Sequence, residues 1–170
     1  AAAPEREWRS YLGDLASRQW SPLDQIDRSN VSRLEVAWTY HTGDIIEGGL
    51  GSDSINGHFG GDAIWGDNGD GIGGSADTIF GSTGDDTIWG EGGDDSLVGD
   101  GAFSAPDGSD TIFGGAGDDF IDGDDTGNDT GGADLLYGGA GNDSINGHEG
   151  NDVIYAGDGN DTIDGHWDND

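Results

Sequence analysis

An aspartate stands at every ninth or fifteenth residue over most of this chain: Asp53, Asp62, Asp77, Asp86, Asp95, Asp110, Asp119, Asp134, Asp143, Asp152, Asp161 and Asp170. Two residues beyond the first eleven comes an aliphatic: Ile55, Ile64, Ile79, Ile88, Leu97, Ile112, Ile121, Leu136, Ile145, Ile154 and Ile163. Carboxylates in that register do one kind of chemistry well. They offer hard oxygen donors, row upon row, to a cation. No nucleophile elbow, phosphate loop or zinc-protease helix accompanies them, and nothing singles out a catalytic carboxylate pair among so many acids.

The element that must position them is a nine-residue phrase, Gly-Gly-x-Gly-x-Asp-x-Ile-x, first seen as Gly48-Gly49-Leu50-Gly51-Ser52-Asp53-Ser54-Ile55-Asn56. Units start at Gly48, Gly57, Gly66, Gly81, Gly90, Gly99, Gly114, Gly123, Gly138, Gly147, Ala156 and Gly165. Those at Gly66, Gly99 and Gly123 carry six extra residues in the turn half, and the last stops in mid-unit, as expected of a fragment or of a chain without an ordinary terminal cap. Asp44 and Ile46 extend the frame back by half a unit. Residues seven to nine read as a short strand with side chains alternating across it, position eight inward and seven and nine outward. Glycines at one, two and four permit positive φ and close backbone approach. Two units then make one turn of a flattened right-handed coil with two parallel sheets, odd units on one and even units on the other. The fold class is all-β.

Charge sharpens the reading. The chain has 36 glycines, net charge −31, and no cysteine, methionine or lysine. All five basic residues (Arg6, Arg9, Arg18, Arg28, Arg33) precede residue 34, so residues 44–170 hold acids and no base. Such a field repels nucleic acid and anionic membrane and attracts cations. No run approaches the roughly 18 apolar residues that span a bilayer. Without cysteine there is neither a disulfide nor a thiolate zinc site. Two aliphatics per turn are too small a core to offset the ordering of a glycine-rich coil. Stacking also brings equivalent carboxylates within roughly 5 Å, a repulsion of about 1 kcal/mol per pair even in water. A divalent ion between them turns that penalty into attraction, and oxygen donors without thiols favour Ca²⁺.

These units resemble the RTX (haemolysin-type) calcium-binding nonapeptide repeats of bacterial exported proteins, over residues 44–170. The resemblance implies a parallel β-roll with several Ca²⁺ ions between stacked turns. It implies sixth-position ligands Asp53, Asp62, Asp77, Asp86, Asp95, Asp110, Asp119, Asp134, Asp143, Asp152 and Asp161. Turn carbonyls of positions two and four, such as Gly49, Gly51, Gly60, Gly84, Gly93, Gly117, Gly141, Gly150 and Gly159, complete the set. Asp70, Asp107 and Asp129 in the inserts are candidate substitute ligands. The family also implies a segment unfolded in low cytosolic calcium that folds after export, so the expected location is extracellular, with the periplasm as alternative.

Residues 1–43 differ. Their phrases Ser21-Pro22-Leu23-Asp24-Gln25-Ile26 and Ala37-Trp38-Thr39-Tyr40-His41-Thr42-Gly43-Asp44 resemble the N-terminal segment of pyrroloquinoline-quinone-dependent alcohol and glucose dehydrogenases, which are β-propellers. A short helix near Asn30–Leu34 and a strand at Glu35–Tyr40 are expected. In that family the quinone-contacting residues come later, on blades this length cannot supply. The expectation is a cap or remnant without enzyme activity; the alternative is a dehydrogenase fragment fused to the repeats.

Two further patterns stand out. Position nine of the complete even units is aromatic (Trp65, Trp89, Phe113, Tyr137, Tyr155), predicting an outward ladder on one sheet. It reads as cross-strand stacking, or as a glycan- or protein-contact strip of an extracellular enzyme. His58, His148 and His166 share position two of even units and are expected to be exposed turn residues, too far apart to bind zinc together.

Overall fold

Twelve short strands, and no helix, organise the residues described by the computed structural model: 43–68, 74–101, 108–124 and 131–166. The helix and strand expected before residue 41 lie outside them. One parallel sheet runs in the order β1 (Ile45–Glu47), β3 (Ala63–Trp65), β5 (Thr87–Gly92), β7 (Thr111–Ala116), β9 (Leu135–Ala140), β11 (Val153–Asp158). The other runs β12 (Thr162–Asp164), β10 (Ser144–Asn146), β8 (Phe120–Asp122), β6 (Ser96–Val98), β4 (Thr78–Phe80), β2 (Ser54–Asn56). Odd units build the second sheet and even units the first. The fold is a parallel β-roll.

The eighth-position aliphatics hold the register. Ile46 lies opposite Ile64, Ile64 opposite Ile88, Ile88 opposite Ile112, Ile112 opposite Leu136, and Leu136 opposite Ile154. In the second sheet Ile55, Ile79, Leu97, Ile121, Ile145 and Ile163 align in the same way. The six-residue inserts change the spacing along the chain but not this alignment, because any slip would turn each aliphatic out of the core. Nine of these side chains are buried, and Ile46 and Ile154 pack against them. Ile163, in edge strand β12, is 51% exposed.

Two features depart from expectation. Strands β5, β7, β9 and β11 are six residues long, continuing through positions one to three of the next unit, so one edge of the roll is partly sheet rather than turn. The glycines also divide their roles. Position four needs both freedoms: Gly117 has φ +142°, and a Cβ there would lie 1.9 Å from the Gly93 carbonyl oxygen of the preceding turn. Position one needs only space, for its φ is ordinary. A Cβ on Gly99 would lie 2.1 Å from Asp110 Oδ2 and 2.4 Å from the Gly123 carbonyl oxygen.

Candidate metal centre

The sixth-position aspartates form two columns, one along each edge of the roll. Each carboxylate is tied to the adjacent turn through one oxygen. Along one edge the amides of Asp53, Asp77, Asp95, Asp119 and Asp143 donate to Oδ1 of Asp77, Asp95, Asp119, Asp143 and Asp161, at 2.8–3.0 Å. Along the other, Asp62, Asp86, Asp110 and Asp134 donate to Oδ1 of Asp86, Asp110, Asp134 and Asp152, at 2.7–2.9 Å. The Asp44 amide donates to Asp62 Oδ1, which carries the column back through the half unit. Oδ1 therefore fastens turn to turn.

Oδ2 is the oxygen left for chemistry. In Asp53, Asp62, Asp77, Asp86, Asp95, Asp110, Asp119, Asp134 and Asp143 it is buried without a hydrogen-bond donor. A buried anionic oxygen left in that state costs several kcal/mol unless a proton or a cation reaches it. The titration behaviour reflects this. Burial raises Asp110 to about 9, and Asp86, Asp119 and Asp134 to about 7. The same cause raises Asp95 to about 6 and pushes Asp62, Asp77 and Asp143 upward. Donated amide bonds oppose the shift, and neighbouring carboxylates add to it.

Among the described residues no three His, Cys, Asp or Glu side chains gather around one point. A cation here must complete its shell with backbone carbonyls, as glycine turns allow and as hard ions accept. The turn-to-turn bonds use carbonyls of positions one, three, six and nine, for example Gly99, Ala116, Asp62 and Trp89, and in one turn that of position two, His58, which accepts the Thr83 amide. Glycines of position four line up beside the columns: Gly60, Gly84 and Gly150 on one edge; Gly51, Gly93, Gly117, Gly141 and Gly159 on the other, all with positive φ. Gly49, at position two of the first unit, shares that conformation. These residues fit Ca²⁺.

Asp70, Asp107, Asp129 and Asp170 lie outside the described residues. The structure adds residues the spacing alone did not single out. Position two of each long unit is aspartate, and Asp67, Asp100 and Asp124 are 7%, 1% and 2% exposed. Their Oδ2 atoms accept the position-four amides of Ser75, Gly108 and Gly132, eight residues on. In nine-residue units that amide reaches the adjacent turn instead, as Gly117 does to Ala140. The visible signal was that aspartate occupies position two in all three long units and in no short one.

His148 corrects an expectation. It is 5% exposed, with Nε2 at 2.6 Å from Asp122 Oδ1, and its ring lies 4.9 Å from that of His166 one turn away, tilted by 35°. A carboxylate from the adjacent strand supplies the partner that lets the imidazole be buried. His58 and His166 are exposed, as expected of turn residues. The aromatic ladder is continuous: Trp65, Trp89, Phe113, Tyr137 and Tyr155 stack at 4.5–5.8 Å with planes within 8° of parallel. Their faces cover one another.

Two parallel sheets wound from nine-residue units, with paired carboxylate columns at the turns, define a repeat solenoid of the β-roll class. The RTX calcium-binding nonapeptide repeat model matches residues 42–73, 71–102, 107–130, 122–154 and 137–170. The chain belongs to that family. A second model, the glucose/ethanol/alcohol dehydrogenase β-propeller domain, matches residues 8–57. Over 43 residues, 25% of this chain and 5% of the relative, it is 51% identical to the quinoprotein glucose dehydrogenase of Gluconobacter oxydans (strain 621H). It is 43% identical over 51 residues to the putative dehydrogenase XoxF of Paracoccus denitrificans, covering 30% of this chain and 8% of that one. It is 47% identical over 45 residues to the lanthanide-dependent methanol dehydrogenase of Methylorubrum extorquens, covering 26% and 7%. The chain thus spans under a tenth of the length of these relatives. No solved structure matches it.

Proposed function

We propose that this chain is a calcium-binding structural module whose roll closes when Ca²⁺ ions bridge the sixth-position carboxylates of successive turns. The ions share the shell with turn carbonyls of positions two and four. The observation that carries the reading is the row of buried Oδ2 atoms without donors, in a region that has no lysine or arginine to neutralise them. Affinity in the range of about 10⁻⁴–10⁻³ M suits an extracellular module, so the roll stays open at cytosolic calcium and folds outside the cell or in the periplasm. Its role there is structural or attachment-related, and residues 44–170 form the unit that does it.

Circular dichroism during a calcium titration, with magnesium as control, tests this. At pH 8.5, where most of the column carboxyls are ionised, strand signal and a compact radius are expected only with calcium; a chelated sample that kept both at that pH would overturn the reading.

A second reading, a dehydrogenase fragment fused to the repeats, is favoured by the match over residues 8–57. The match covers too little of a propeller to hold a quinone, so no catalysis is assigned to this chain. Quinone-dependent dye reduction by the purified protein would reverse that. The aromatic strip reads as a stacking element rather than a sugar platform, since sugars pack on ring faces and these faces are occupied by neighbouring rings. Retention on a glycan matrix, lost in a Trp65→Ala, Trp89→Ala variant, would restore the attachment role of the strip.

A further inference from the structure

We infer that Asp67, Asp100 and Asp124 are cation ligands, making the three fifteen-residue units a second and more carboxylate-rich class of calcium site within the roll. The inference rests on the calcium reading above and extends it to residues outside the nonapeptide pattern.

Burial is the first argument. These three side chains are at most 7% exposed, and every basic residue of the chain except histidine lies before residue 34. A carboxylate removed from water is costly in a region without arginine or lysine, and a bound cation offsets that cost. Placement is the second. The position-six aspartate of each long unit directs a buried oxygen without a donor at the glycine immediately preceding the position-two aspartate. A Cβ on Gly66, Gly99 or Gly123 would lie 2.3, 2.1 or 2.3 Å from Oδ2 of Asp77, Asp110 or Asp134. In each long unit the free oxygen of the position-six carboxylate therefore faces the backbone one residue before the position-two aspartate.

Backbone conformation is the third. In nine-residue units position two adopts positive φ, even when it is His58, Ser82, Glu91, His148 or His166. Asp67, Asp100 and Asp124 do not share that conformation. Their carboxylates take the position-four amide through Oδ2, a splice between described residues eight apart in the chain. A splice alone would need only a neutral acceptor. The charge has a separate use, and affinity for Ca²⁺ rises with the number of charged ligands in the site.

The test exploits that distinction. Asp67→Asn, Asp100→Asn and Asp124→Asn together keep an oxygen for each amide and remove three charges. The full chain is titrated with Ca²⁺ by calorimetry and circular dichroism. We expect the tightest class of sites to weaken by about tenfold, with the same strand signal at saturating calcium. A charge-matched control, Asp85→Asn, Asp94→Asn and Asp118→Asn, changes exposed position-five residues and is expected to titrate like the unaltered chain. Isotherms of the triple variant and the unaltered chain that coincide would overturn the inference, leaving the three residues as splices. So would an equal loss in the control, which would assign the effect to the general field. An unaltered chain that takes up no calcium overturns the calcium reading itself. Should the triple variant not fold at saturating calcium, each single Asn change still has to weaken binding for the inference to stand.

Discussion

At the scale of a residue, each sixth-position aspartate has two separable duties, one per oxygen. Oδ1 of Asp119 accepts the Asp95 amide at 2.9 Å, and Oδ2 is buried without a donor. Asp119→Asn preserves the first duty and removes the charge behind the second. It should fold at saturating calcium with a midpoint shifted to about tenfold higher calcium, whereas Asp119→Ala should show at least that shift and also lose part of the maximal strand signal. Equal midpoints for Asp119→Asn and the unaltered chain would show that the column does not bind the ion. Gly117 makes a complementary case, because its constraint is steric. With φ +142° and the Gly93 carbonyl oxygen 1.9 Å from a would-be Cβ, Gly117→Ala should destabilise the calcium-loaded roll by at least 1–3 kcal/mol in denaturant titration.

At the scale of an element, three-residue strands have little stability of their own and depend on the stack. Ile112 lies fully buried between Ile88 and Leu136, so Ile112→Ala opens a cavity with aliphatic neighbours above and below. A loss of about 2–5 kcal/mol is expected in calcium-saturated unfolding. Phe113, next in the chain, points outward and stacks on Trp89 and Tyr137. Phe113→Ala should cost about 1–3 kcal/mol through two broken ring contacts and, because folding and binding are coupled, should raise the calcium midpoint while leaving the number of ions bound unchanged. Much of this was legible beforehand. The period-two alternation around Ile112 and the nine-residue spacing fixed strands, register and inward face, since a one-residue slip exposes the core. The extension of β7 to Ala116 was not legible, because glycine at positions 114 and 115 reads as turn in any local sense and pairs only once neighbouring turns stack. Asp100 was hidden for a related reason. Counting from Asp110 places the insert correctly, but burial of position two goes with the Gly108 amide donating to it, a contact between residues eight apart that the repeat pattern does not specify. His148 was misplaced because its partner, Asp122, belongs to a strand two turn-halves earlier in a different unit.

At the scale of the whole molecule, protons and calcium compete for the same oxygens, and this fixes the pH dependence. Five of the column carboxylates have folded-state values raised above 3.8, to about 6 for Asp95, about 7 for Asp86, Asp119 and Asp134, and about 9 for Asp110. A carboxyl raised on folding binds its proton more tightly in the roll than in the open chain. Its contribution to stability is fully present below about pH 4 and is lost as pH rises through 6 to 9. The metal-free chain should therefore gain strand signal when a chelated sample is taken from pH 8.5 to pH 5, and lose it again on return. In the presence of calcium the trend reverses in sign for affinity: protons held by the columns must leave before the ion enters, so the calcium midpoint should rise as pH falls. Calorimetry in two buffers of different ionisation enthalpy should register proton release on calcium binding, more at pH 6.5 than at pH 8.5. A midpoint that stays constant from pH 8.5 to 5.5, with no proton released, would mean that the buried oxygens are not where the ion sits. The electrostatic account of why this roll needs a cation would then have to be abandoned in favour of packing alone.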